Sequence, residues 1–188
     1  MRQGLDKDLV LIAAGELADQ IGYEKVSLAS LAAKLQIRTP SLYNHISGLP
    51  GLKKELACYA IRKLKEKLAE SAIGKSGREA ILSIGEAYVS FVRRHPGLYE
   101  ATMGAPDFRD PEVEAAGNEI VALIFRVLEP FYLSELNAIH AVRGLRSIVH
   151  GFASLELKKG FNREVSTDET LAVILNTYIT GLRLNAEA

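Results

Sequence analysis

Leu28, Leu31, Ala32 and Leu35 recur three and four positions apart, which lays one apolar stripe along a short helix. Ser27 stands immediately before the stripe, where its hydroxyl can cap the first turn. Ala32 and Ala33 are small enough for a second helix to cross closely, and Gln36, Ile37 and Arg38 leave room for nothing longer than a sharp turn. Thr39 is a good capping residue, and Pro40 then falls at the first helical position, where a missing N–H costs nothing and a fixed φ suits the helix. A second helix is therefore predicted from Thr39. Its Leu42 and Ile46 sit four apart and face the protein, while Pro40, Ser41, Tyr43, Asn44 and His45 remain on its other faces, a polar exterior suited to a groove.

Upstream, Asp6 or Asp8 can start a helix that carries Leu9, Ile12, Ala13, Leu17 and Ile21 on one face and ends at Gly22. Downstream, residues 47–51 form a turn cluster, after which Leu52, Leu56, Tyr59, Ala60, Lys63 and Leu64 keep helical spacing to about residue 73. Gly74 and Gly77 break that pattern. The remainder is helical too, over about 78–95, a short piece after Pro96, 111–132, 134–161 and 167–185, and no segment reads as a strand. An all-α chain is expected.

Residues 22–28, Leu31, Ala32, Leu35, Ile37 and the run Thr39-Pro40-Ser41-Leu42-Tyr43-Asn44-His45 resemble the DNA-binding domain of TetR-family transcriptional regulators, over about residues 9–56. The resemblance implies an N-terminal three-helix DNA-binding unit (1–50), a connecting helix (51–74) and a larger helical domain (75–188) that binds a small-molecule effector and forms a homodimer. Residues 143–152, with Leu155 and Glu156, resemble the WHG-type C-terminal domain of one TetR subgroup, with Val149 where the subgroup's name implies Trp. Two positions depart from the family pattern. Gln36 stands where the turn often has Gly, at a cost of about 1 kcal/mol if it is left-handed. Leu49 stands where many members carry a phosphate-binding Lys, leaving Lys53 or Lys54, one turn on, as the nearest cation.

Formal net charge is +0 over 188 residues, but residues 1–75 hold 12 Lys or Arg against 8 Asp or Glu, and residues 76–188 hold 11 against 15. The resulting +4 and −4 point an anionic partner at the N-terminal part, though modestly. Weak electrostatics predict a shallow salt dependence of DNA binding. Cys58 is the only cysteine, no export signal is legible in the first residues, and no apolar run approaches the roughly 20 residues of a spanning helix, so a cytoplasmic location is expected. The length suits one domain or a small one attached to a larger one.

Thr39, Ser41 and Asn44 are the candidate base readers, and Pro40 could meet a thymine methyl. Tyr43 and His45 usually touch DNA in the family, and Ser27, Arg38 and Lys53 complete the set of candidate contacts. Ser27 and Thr39 could equally be caps only, and Tyr43 and His45 could pack against the preceding helix. Tyr88, Phe91, Tyr99, Met103, Phe125 and His150, with Phe131, Tyr132 and Phe152, could line an effector cavity, or could be core residues. His140 and His150 are ten apart with no acid at ligand spacing, so neither metal nor cofactor is expected. Leu145, Ile148 and Val149, then Leu171, Ile174 and Tyr178, form stripes on the last two helices that a four-helix dimer interface could bury.

The function this predicts is a ligand-released regulator, by resemblance most often a repressor, binding a palindromic operator as a dimer. The alternative is a helical small-molecule-binding protein or an enzyme without DNA binding. Against catalysis, the chain has no Gly-rich phosphate loop, nucleophile elbow or paired carboxylates in an apolar site.

Overall fold

A computed structural model of the chain describes residues 5–186; the outermost residues of the expected 1–50 and 75–188 segments lie outside the described residues. Every regular element among the described residues is helical: α1 Lys7–Ile21, α2 Leu28–Lys34, α3 Gly48–Ala72, α4 Gly77–Arg94, α5 Pro96–Thr102, α6 Pro111–Leu128, α7 Glu135–Leu157 and α8 Thr167–Ala186, with short 3-10 turns at Tyr23–Lys25, Thr39–Asn44 and Glu129–Phe131. The chain divides into two compact units. One holds the residues up to Lys63 together with His95–Gly117, and the other holds Leu64–Arg94 and the residues from Asn118 onward.

In the first unit, the Asp6 carboxylate accepts from the Leu9 amide at 2.8 Å and starts α1. The buried face of α1 is Val10, Leu11, Ala14 and Ala18 with the expected Ala13 and Leu17, whereas Ile12 and Ile21, also expected inside, are exposed. The face is rotated because α1 packs against α5 as well as α2, and small residues meet there. A Cβ on Gly97 would lie 2.0 Å from the Ala18 carbonyl oxygen, so only glycine lets the two backbones approach this far. Asp19 of α1 then supplies the cap that α5 lacks: its carboxylate accepts from the Leu98 amide and pairs with His95 Nδ1, both at 2.9 Å.

Helix α3 begins at Gly48 rather than after Gly51, because the expected turn cluster is its first turn, where Pro50 has no intrahelical N–H to lose. Lys54 reaches Asp110 at 2.9 Å and Glu112 at 3.2 Å, fastening the start of α6 to α3 within this unit. These hydrogen bonds hold the Lys54 ammonium above its usual range and the Asp110 carboxyl below its own.

In the second unit α4 packs against both α7 and α8. Ala80, Ile81, Ile84, Val89 and Val92 of α4 are buried with Leu145, Val149, Leu171 and Leu175. Gly85 faces Leu175 so closely that a Cβ would stand 2.5 Å from its side chain. At the end of α4, Arg93 binds Glu156 through two 2.7 Å contacts and Asp168 through a third, tying α4 to α7 and α8. Helix α7 stops at Leu157, short of the expected 161: Lys159 turns left-handed at φ 56° and the Gly160 amide bonds back to the Leu155 carbonyl at 2.7 Å. Helix α6 likewise gives way to the 3-10 turn at Glu129, ahead of the expected 132.

Candidate nucleic-acid interface

Ser27 opens α2 as predicted, and Ser30 reciprocates. The Ser30 amide donates to Ser27 Oγ at 3.1 Å while the Ser27 amide donates to Ser30 Oγ at 2.9 Å. Ser30 takes the position that Glu or Gln usually fills in a capping box, so S-x-x-S was the signal that sequence reasoning missed. The helix ends with Gln36 at φ 55°, so the turn keeps a left-handed residue although glycine is absent. The Gln36 amide bonds the Ala33 carbonyl at 3.1 Å and the Ile37 amide the Ala32 carbonyl at 3.0 Å, which closes α2 in a Schellman turn and directs the chain into the next element.

That element is not the expected α-helix. Thr39–Asn44 is a 3-10 helix in which Thr39 is the first residue and Pro40 the second, and Arg38 before them makes no side-chain cap. With Pro40 unable to donate and only six residues to close, bonds such as Ser41 amide to Arg38 carbonyl, 2.9 Å, set the geometry. Leu42 is completely buried and Ile46 nearly so, as predicted. Side chains three apart eclipse in a 3-10 helix, so Thr39 lies in line with buried Leu42 and is half-buried; His45, just past the helix, is half-buried as well. Pro40 aligns with Tyr43, which is 59% exposed, and half-buried Ser41 with exposed Asn44. The two outward ridges hold most of the predicted readers, and exposed Arg38 stands at their start.

Beside this element, Leu49 is part-exposed and Lys53 is not a free cation. Its ammonium lies 3.6 Å from the Glu24 carboxylate and 5.0 Å from the centre of the Tyr23 ring. Glu24 carried no signal in the sequence, because nothing local places it against a residue 29 positions away.

Residues 81–178 match the family model described as the tetracyclin repressor-like C-terminal domain. Over 185 residues, 98% of this chain and 96% of the relative, the sequence is 43% identical to the uncharacterized HTH-type transcriptional regulator YobS of Bacillus subtilis (strain 168). The chain belongs to the TetR family of transcriptional regulators. Solved structures agree on the fold. A protein of unknown function from Rhodococcus sp. RHA1 superposes with a TM-score of 0.83 at 20% identity, 97% of each chain being covered. The TetR Q116A variant of Acinetobacter baumannii AYE, solved in complex with minocycline, gives 0.71 at 21% identity over 97% of this chain and 99% of that one.

The positions expected to line an effector cavity in this TetR-family chain are divided between the units. Tyr88 and Phe91 on α4 are buried, and Phe125 on α6 and His150 on α7 are half-buried, all in the second unit with buried Phe131 and Phe152. Burial, helped by nearby Arg146, holds the His150 imidazole below its usual value. Tyr99 and Met103 belong to the first unit, and Met103, like Tyr132 at 88%, is exposed.

The expected dimer stripes are divided as well. Leu145, Val149 and Leu171 are buried in the second unit's own core, while Ile148, Ile174 and Tyr178 are half-buried, with the Tyr178 hydroxyl donating to the Ala141 carbonyl. The period-3.6 apolar pattern marks the face turned toward α4. The opposite face carries Ser147, Gly151, Val173, Thr177 and Gly181, and a Cβ at Gly151 or Gly181 would meet nothing within 4 Å.

Proposed function

We propose that this TetR-family regulator reads DNA through the 39–45 segment and acts as a repressor at a palindromic operator. The observation that carries the reading is the 3-10 element itself: Leu42 and Ile46 anchor it from beneath, and Pro40, Tyr43 and Asn44 are exposed on two ridges, with Ser41 half-buried beside them. Asn44 and Ser41 suit base edges, Tyr43, His45, Arg38 and Ser27 suit phosphate oxygens, and Thr39 suits either. Membership of the family supports regulation rather than catalysis, and a place in the cytoplasm where the DNA is. Residues 1–50 form the DNA-binding domain in this reading, residues 51–74 connect, and residues 75–188 respond to a small molecule. Tyr88, Phe91, Phe125 and His150 share one unit and are the supported effector contacts.

Homodimerisation uses the outer faces of α7 and α8, where Ile148 and Ile174 stand beside Gly151 and Gly181. A helix-interior glycine costs about 1 kcal/mol relative to alanine. Neither glycine is required by the protomer's own packing, and both permit a second copy's helices to approach. Dimer symmetry then demands half-sites about one DNA turn apart. The test is fluorescence anisotropy with duplex DNA from upstream of the protein's own gene. Saturable binding at low salt, abolished when one half-site is scrambled, is expected, and absence of binding would reject the reading.

A further inference from the structure

We infer that Glu24 attenuates DNA binding by holding the Lys53 ammonium away from phosphate, and that Lys53, not Lys54, is the cation this pair keeps in reserve. The inference rests on the DNA-binding reading above. Lys53 lies one helical turn beyond Leu49 on the same face of α3, the face that follows the 39–44 element in the chain. The two neighbouring lysines are held differently. Lys54 is committed to two acids at 2.9 and 3.2 Å, and those acids belong to the start of α6, so releasing it would unfasten that segment.

Lys53 has one carboxylate at the longer distance of 3.6 Å, and that carboxylate belongs to a side chain 81% exposed. With the carboxylate this exposed and the contact this long, the pair contributes little to stability and a phosphate oxygen can displace Glu24, although the Lys53 side chain is itself only 28% exposed. The Tyr23 ring beneath the ammonium strengthens the resting position, because its own hydroxyl is fixed to Gly104 and keeps the ring face in place. A phosphate that captures Lys53 must also tolerate the Glu24 carboxylate left beside it. Glu24 therefore subtracts twice, first by occupying the cation and then by repelling the anion.

Four proteins test this by anisotropy against the upstream duplex, with potassium chloride varied over roughly 50 to 300 mM: wild type, Glu24→Gln, Lys53→Met and the double variant. Glu24→Gln should bind about threefold more tightly per protomer and about tenfold as a dimer. Its slope of log affinity against log salt should steepen by about two, from one regained phosphate contact of about 0.9 in each half. Combined with Lys53→Met, the gain in slope should vanish and the gain in affinity should shrink to the part that comes from lost repulsion. Equal affinity and slope for wild type and Glu24→Gln would overturn the inference while leaving DNA binding intact. So would a gain that persists undiminished without Lys53, since Glu24 would then act as a general charge. Failure of wild type and Glu24→Gln alike to bind at the lowest salt would overturn the DNA-binding reading and this inference with it.

Discussion

The Tyr23 hydroxyl donates a 2.7 Å hydrogen bond to the carbonyl of Gly104, and a Cβ added at residue 104 would stand 2.4 Å from the same ring. A buried aromatic between α1 and α2 is thus locked to the segment after α5, and the lock has both a polar and a steric half. Tyr23→Phe keeps the shape and loses the hydrogen bond, so it should lower stability by about 1 kcal/mol. Gly104→Ala keeps the carbonyl and displaces the ring, and should cost about 1–3 kcal/mol. Urea unfolding followed by circular dichroism would rank them, and a milder effect for Gly104→Ala than for Tyr23→Phe would contradict the steric half.

Asp19 serves α5 as a borrowed N-cap. Asp19→Ala should cost about 1 kcal/mol, and Asp19→Asn distinctly less, since an amide oxygen can still accept from the Leu98 amide. The comparison is made by thermal melting at neutral pH. Equal losses for the two variants would show that the pairing with His95, rather than the cap, carries the effect.

Gln36 pays a conformational penalty that glycine escapes. Gln36→Gly should raise stability by about 0.5–1 kcal/mol, and Gln36→Val should lower it, because a β-branched residue resists φ 55° most strongly. A destabilised Gln36→Gly would mean that the glutamine side chain contributes something beyond its backbone.

Much of the first unit was legible because its signals are local. Ser27 precedes its helix by one residue, Leu42 and Ile46 sit one turn apart, and the sharp turn at Gln36 follows from a three-residue connection. The rest depends on partners remote in sequence. Nothing near Asp19 announces that it will meet His95 and Leu98, and for that reason the rotation of α1 that exposes Ile12 was invisible. Periodicity also reports that a helix has an apolar face without saying which neighbour covers it. That is how Leu145, Val149 and Leu171 read as an interface between copies while lying against α4. The choice between α and 3-10 at Thr39–Asn44 turns on a few hydrogen bonds in six residues, below what pattern resolves.

Tyr178 makes stability sensitive to alkali. Burial pushes its hydroxyl up to about 12, above the ordinary phenol range, so the folded state favours the protonated form. That contribution is fully present below about pH 10, where the unfolded phenol is also protonated, and is lost as pH rises toward 12. Tyr178→Phe should be less stable than wild type at pH 7, having lost the bond to the Ala141 carbonyl, and should show a smaller decline between pH 10 and 12. Parallel declines in the two proteins would remove Tyr178 as the cause.

Gly151 distinguishes an outer surface from an interface through two substitutions. On a free helix surface Gly151→Ala should stabilise by about 1 kcal/mol. Where a second copy's helix lies against it, Gly151→Leu should dissociate the dimer, visible as a lower mass in sedimentation equilibrium. A Gly151→Leu protein that sediments as wild type places the contact elsewhere.

The 3-10 geometry of Thr39–Asn44 limits how much sequence one protomer can inspect. Six residues rising about 2.0 Å each extend about 12 Å, and base pairs stack about every 3.4 Å, so the element passes only three or four of them. A vocabulary that small recurs by chance throughout a genome. Most of the information that singles out an operator must therefore reside in the distance between two short words and in the pliability of the DNA that separates them.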